Sequence, residues 1–348
     1  MILSAFYRLL GFNKPSSDPV ADSLVTGPAR GPRLLILSST KRNQNYYRDM
    51  ELTRRTRSLF LAENFDWAAW GHDVARVAAE RFPGGKPDAV FLNYNHHYTH
   101  QLRGLNELGV PVFGFVGDHY DFTDDSPRAR LKQEYFCGLT NLAAMVSAYP
   151  HTNNLVAQAL GRPELTFIYL PWAIDPNVFR DLGKRRRYDI ACLGALTEGK
   201  YPFRREVRAW LESQSQLSYI RKKRIGGHDG ELFNQALNTT RSAFTCASAL
   251  RYTLMKYFEI PASGALLFAE TTPEFTALGF RDGEHYVAVA PADFREKIMH
   301  YLRGAGREQG EQIRHAGNRF VCEHHTWERR VQALLQDLAL YLEDKEQA

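Results

Sequence analysis

Short apolar runs alternating with longer amphipathic stretches constrain this chain more than any single motif. Residues 34–37, Ala89–Leu92 and Val112–Val116 are continuous apolar runs of the kind expected of strands buried on both faces. Helices are predicted between them at about 51–62, 71–81 and 100–108. The alternation resumes with a strand at 189–193, a helix starting near Phe203 and a strand at 265–269. This order predicts parallel sheets covered by helices on both sides, with ligands gathered at the C-terminal ends of the strands. At 348 residues the chain exceeds what one core supports, so two domains are expected.

Composition narrows the class. Apolar residues make up 44% and charged residues 24%, which is ordinary for a soluble globular protein, and no apolar run approaches the length of a spanning helix. The formal charge of +5 favours anionic ligands without demanding nucleic acid. Cys137, Cys192, Cys246 and Cys322 are scattered, with no C-x-x-C pair, and read as reduced thiols of a cytoplasmic protein. Residues 1–12 read as an amphipathic helix with Ile2, Phe6, Leu9 and Leu10 on one side. It packs on its own protein or rests on the inner face of a membrane, and 14–32 reads as a loop.

Four segments carry candidate chemistry. In KYFEIPASGALLFAE, residues 256–270, Thr253 is expected to cap a helix on which Lys256 and Glu259 share a face before a Gly264 turn and a buried strand. A helix N-terminus can hold a diphosphate and a carboxylate one turn later a ribose diol; the plain alternative is a surface helix with an ion pair. In GALTEGKYPFRREV, Gly194, Gly199, Lys200 and Arg204 stand between a strand and a helix, while the basic runs at 184–187 and 221–224 read as solvated faces or, for the second, as a further diphosphate contact. GDHYDF, residues 117–122, places Asp118 and His119 at a strand end, as candidates to orient or deprotonate an acceptor hydroxyl or, alternatively, as a helix cap. In NYNHHYTH, residues 93–100, His96 and His100 have metal-pair spacing without a third ligand, so no metal is expected and acceptor hydrogen bonding or packing is the preferred reading.

The order ALNTTRSAF, KYFEIPASGALLFAE, GFRDGEHYVAV and AGNRFVCEHHTWERRVQALL resembles the C-terminal half of the glycosyltransferase group 1 proteins, and most closely their spore-maturation CgeB-like subset. LPWAIDPNVFR, residues 170–180, is similar to the segment ending the first domain of these enzymes, with Asp175 and Phe179 in register. The resemblance implies a GT-B arrangement, two Rossmann-like α/β domains facing across a cleft. The expected division is a helix and loop over 1–32, an acceptor-side domain over 33–180, a donor-binding domain over 188–326 and a C-terminal helix over 327–348 that crosses back to the first. It implies a metal-independent transfer of sugar from a nucleotide-diphosphate-sugar, with no resident cofactor. The acceptor is a glycan, lipid-linked or other hydroxyl, with a hydroxymethylated DNA base as the less favoured alternative. Glu259 takes the donor ribose, and Lys200, Arg204, Arg251, Thr253 and Lys256 complete the donor site. Many relatives carry a Glu eight positions before Glu259, where this chain has Arg251. The family leans toward retention of configuration. The rival reading is a non-catalytic nucleotide-sugar or phosphate-binding protein on the same fold.

Overall fold

The computed structural model describes residues 23–26, 31–41, 43–82, 84, 86–220 and 229–346. The helix read over 1–12 and the basic run at 221–224 lie outside the described residues. The chain divides into two compact units, Pro19–Pro171 with Glu328–Ala348, and Trp172–Trp327. Each has its own apolar core.

The N-terminal unit runs β1 (Ser23–Thr26), β2 (Arg33–Leu37), α1 (Gln44–Arg55), β3 (Arg57–Leu61), α2 (Val74–Arg81), β4 (Ala89–Leu92), β5 (Val112–Val116), α3 (Tyr120–Thr123), α4 (Pro127–Cys137), β6 (Leu142–Ser147), α5 (Asn153–Ala159) and β7 (Phe167–Tyr169). Its sheet has the order β1-β3-β2-β4-β5-β6-β7, parallel throughout except for β1. The apolar runs form its interior because residues 34–37 of β2, with β4 and β5, are covered on both faces and lose nearly all contact with water. Helix starts follow capping chemistry: Asn43 accepts from the amides of Asn45 and Tyr46, Asp73 from Arg76, and Ser126 from Ala129 just before Pro127.

Three expectations fail here for identifiable reasons. The helix read over 51–62 is the second half of α1 followed by β3. Thr56 Oγ1 bonds Leu52 O at 2.7 Å at the helix end, and pairing with β2 buries residues 58–61. Only a 3₁₀ turn, Thr99–Gln101, forms within the helix read over 100–108. Gly104 sits at φ +85°, where a Cβ would lie 2.5 Å from Asp73 Oδ1, so the chain turns against α2 instead of coiling. The lead-in read as loop contains β1, an antiparallel edge strand on β3.

The C-terminal unit runs β8 (Tyr188–Cys192), α6 (Pro202–Ser213), α7 (Gly230–Leu237), β9 (Thr240–Thr245), α8 (Lys256–Ala262), β10 (Leu266–Ala269), α9 (Pro273–Ala277), β11 (Val287–Ala288), α10 (Phe294–Arg303) and α11 (Arg307–His324). Its four strands are parallel in the order β11-β10-β9-β8. Last comes α12 (Trp327–Glu346), whose residues from Glu328 belong to the N-terminal unit. There Glu328 pairs with Arg55 at 2.7 Å and the Tyr341 ring meets Phe113 edge-on at 5.3 Å. Among the described residues no helix is long and apolar enough to cross a membrane.

Candidate functional site

The C-terminal ends of β8, β9 and β10 bring a set of charged side chains together. Helix α6 turns Phe203, Val207 and Leu211 inward, and the same face carries Arg204 and Arg208 into the protein. Arg208 is satisfied: it bonds Ile220 O at 3.1 Å, and its Nε meets Glu212 at 3.0 Å. Arg204 is not. Only 2% of it is exposed; Nη1 donates to Ala195 O at 3.0 Å and the guanidinium lies 4.2 Å from the Tyr201 ring, yet Nε and Nη2 are buried without a hydrogen-bond partner. A buried guanidinium with two unspent donors is costly unless something accepts from them.

Gly194, two residues past the end of β8, explains how the charges approach the backbone. A Cβ at this position would lie 3.0 Å from Arg204 Nη1 and 3.3 Å from Lys256 Cε, so the glycine leaves room for two cations at one strand end. Lys256 opens α8, its ammonium 5.5 Å from the Phe233 ring centroid, and Glu259 follows one turn later with 7% of its surface exposed. Arg251 holds a left-handed backbone, φ +61°, and reaches the end of β10, donating to Thr271 O at 3.0 Å and pairing with Glu270 at 3.6 Å. Lys200, half-buried in the loop after β8, accepts at its carbonyl from the Ala249 amide at 2.9 Å, which ties that loop to the one after β9.

Glu270 is a residue that sequence reasoning missed, because it reads as the polar end of a buried strand. Burial pushes its carboxyl up, while Arg251, the Ala247 amide and Arg204 pull it back. Arg204, Glu270 and Lys256 all act on the buried Cys246 thiol, which burial raises, so the three charges occupy one locality. Thr253 does not cap α8. The helix begins at Lys256 after Met255, which makes no side-chain cap bond, and Thr253 Oγ1 instead bonds Thr272 Oγ1. Pro261 lies inside the helix, and Gly264 at φ +67° makes the turn into β10.

In the N-terminal unit the reversal of strand order between β2 and β4 is the usual place for a ligand crevice. It is filled by the protein's own polar side chains. Asp49 accepts from Ser38 Oγ and, at 3.1 Å, from Asn93; it pairs with Arg48 at 2.7 Å, both side chains fully buried, and Arg48 packs 3.7 Å above the Phe115 ring. Asp118 accepts from the Tyr120 amide at 3.0 Å and so supports the start of α3. His119 is fully buried, within 2.9 Å of Thr152 Oγ1, and burial pushes its pKa down to about 4. So placed, its imidazole is packed inside the unit against Thr152. His96 and His100 come together without a third ligand: among the described residues no group of three or more His, Cys, Asp or Glu is arranged to hold a metal ion.

Two units with parallel sheets, the second carrying charge at the ends of its strands, are the elements of the GT-B fold, and comparison with solved structures shows that fold. HepE of Anabaena in complex with UDP-glucose superposes with a TM-score of 0.54 at 11% identity, over 88% of this chain and 99% of that one. Sucrose-phosphate synthase from Thermosynechococcus elongatus gives 0.53 at 10% identity over 91% and 100%, and a glycosyltransferase from Rickettsia africae 0.52 at 10% over 90% and 98%. Residues 176–336, which include the whole charged cluster, match the family described as Glycosyl transferase-like. No curated protein matches the chain.

Proposed function

We propose that this protein is a glycosyltransferase that moves a sugar from a nucleotide-diphosphate-sugar to an acceptor hydroxyl, with the donor on the C-terminal unit and the acceptor on the N-terminal one. The observation that carries the reading is Arg204, whose buried, unpartnered Nε and Nη2 call for an anionic acceptor beside Lys256 at a strand end. A diphosphate fits because guanidinium forks match phosphate oxygens and ammonium groups add point charge. The complex of HepE with UDP-glucose, on the same fold, supports a nucleotide-sugar as the donor.

The reaction follows from where charge develops. As the glycosidic bond breaks, negative charge grows on the departing diphosphate. Arg204, Lys256, Lys200 and Arg251 stabilise it as fixed cations, which need no reorganisation at that moment. Glu259, one turn along α8, accepts from the ribose hydroxyls. Asp118 and His119 are the candidates of their loop for orienting or deprotonating the acceptor, Asp118 being the more exposed. The nucleotide-sugar enters as substrate, and the mechanism calls on no resident cofactor. Retention of configuration and the CgeB-like subtype rest on the sequence resemblance; the anomeric signal of the product by NMR decides the first.

Incubation with glucose, galactose and N-acetylglucosamine conjugates of UDP, GDP, ADP and dTDP, with released nucleoside diphosphate as the readout, tests the activity. Glu259→Ala is expected to weaken binding of the matching nucleoside diphosphate about ten- to a hundredfold, the worth of roughly 1.5–3 kcal/mol for a charged hydrogen bond. No release from any donor overturns transfer, and unchanged affinity in the folded variant removes Glu259 from the ribose.

A further inference from the structure

We propose that Tyr94, His96, His100 and Tyr135 form a subsite for uncharged carbohydrate hydroxyls on the N-terminal unit, which is the acceptor site if the transferase reading above holds. Four polar atoms lead to it. Tyr94 Oη, His96 Nδ1, His100 Nδ1 and Tyr135 Oη are all buried without a hydrogen-bond partner. They lie close together: the Tyr94 ring is 4.9 Å from His96 and 5.5 Å from Tyr135, and His100 acts electrostatically on His96. Tyr94 is 8% exposed, whereas His96, His100 and Tyr135 are half-buried at the edge of the cluster. Most buried polar atoms of a folded protein are hydrogen-bonded, and four unpartnered ones gathered in one place indicate a missing partner with several donors and acceptors.

The chemistry of the four groups selects the class of that partner. Burial pushes the His96 pKa down to about 4 and that of Tyr94 up to about 12, so both side chains are neutral near pH 7. A neutral imidazole and a phenol each donate and accept, as sugar hydroxyls do. The neighbouring charges balance rather than attract an ion. Lys132 pairs with Asp121 at 3.6 Å, its ammonium 4.3 Å from the Phe122 ring and 5.7 Å from that of Tyr94, and Asp118 also pulls on it; Arg128 supplies the second cation of the group. The cation packed on the Tyr94 ring, Lys132, is already paired and so does not call for an anion, and a metal would find no third ligand among the described residues. Aromatic rings suit the apolar face of a pyranose. The cluster sits at the C-terminal end of β4, against α4, beside the crevice that Arg48 and Asp49 already fill.

Saturation-transfer NMR of the full chain with methyl glycosides of glucose, galactose, mannose and N-acetylglucosamine, and with glucose 6-phosphate, tests the assignment. At least one methyl glycoside is expected to bind more tightly than the phosphorylated sugar, and Tyr94→Phe, Tyr135→Phe and His100→Gln are each expected to weaken it roughly tenfold. Affinity for nucleoside diphosphate should be unchanged. Because the two phenylalanine variants delete hydroxyls that hold no bond, they should melt within a few degrees of the parent, and the His100 variant guards against failure of either to fold. No binding of neutral sugars, preference for the phosphorylated one, or equal binding by all three variants overturns the proposal. Sugar binding lost in the variants, without release of nucleoside diphosphate from any donor, would keep this site and reject the transferase reading.

Discussion

The two sheets end in different chemistry although both are built from parallel strands, β1 apart. At the C-terminal ends of β8–β10 the side chains are ions: Arg204, Lys256 and Arg251 with Glu270 among them, and the first holds buried donors without partners. Beyond the end of β4 the unpartnered atoms belong to phenols and imidazoles, of which Tyr94 and His96 are held neutral by burial, and Lys132 is already paired with Asp121. Parallel sheets collect loops at one edge, but the loops decide what is collected. Unspent cationic donors suit a ligand whose charge grows during a reaction. Unspent neutral groups suit one whose hydroxyls must be oriented and whose charge stays near zero.

The largest expected effect tests the cationic edge. Replacing Arg204 by Ala should lower turnover about 10²- to 10³-fold, the range seen when a fixed donor to a developing negative charge is removed, while nucleoside monophosphate affinity changes little. The same substitution by Lys should recover only part of the loss, because an ammonium cannot bond through two parallel N–H groups. Equal turnover in Arg204→Ala and the parent would place the guanidinium in packing, and the contrast between the edges would lose its main term.

A second test asks whether His119 belongs to a site or to the core. Its folded pKa of about 4 lies below the ordinary 6.5 because burial disfavours the charged ring. The unfolded chain therefore binds the proton more readily between those values. The stability contributed by the neutral ring is full above pH 6.5 and is lost as pH falls toward 4, in total on the order of 3 kcal/mol. His119→Gln should flatten the fall in stability over that window, measured by urea denaturation at a series of pH values. An undiminished slope in the variant would put the titration on other groups and reopen the question of an accessible His119.

How far these features are legible in the sequence depends on how local they are. Ala89–Leu92 and Val112–Val116 are strands in sequence and structure alike, since a short apolar run with no polar face fits a sheet covered on both sides. The boundary between α1 and β3 is hidden, because Thr56 ends the helix without glycine or proline and the apolar residues 59–62 follow with no turn signal between. Lys256 and Arg204 stand out in the sequence as cations near turns. Nothing in it says that both close on Gly194, which requires β8, α6 and α8 to be assembled. Tyr135 belongs to a helix whose apolar and polar residues are mixed, and its meeting with Tyr94 exists only once α4 packs beside the end of β4.

The smallest effect concerns how the cationic edge is held. Arg251 adopts φ +61°, a conformation that costs a non-glycine residue roughly 1 kcal/mol, and its exposed side chain returns at most about that much through Glu270 and Thr271. Glycine at this position relieves the backbone while losing the ties, so Arg251→Gly should leave stability within about 1 kcal/mol of the parent. Alanine loses the ties and keeps the strain. Arg251→Ala should therefore be less stable than Arg251→Gly by about 1 kcal/mol, the reverse of the order found inside a helix. Both should weaken nucleoside diphosphate binding equally, because both remove the same charge. Urea denaturation and binding measured on the two variants side by side read these terms separately. If alanine proves as stable as glycine, the left-handed turn carries no strain; if binding is unaltered in both, Arg251 fastens the loop after β9 to the end of β10, and the charge that meets the donor comes from Arg204 and Lys256.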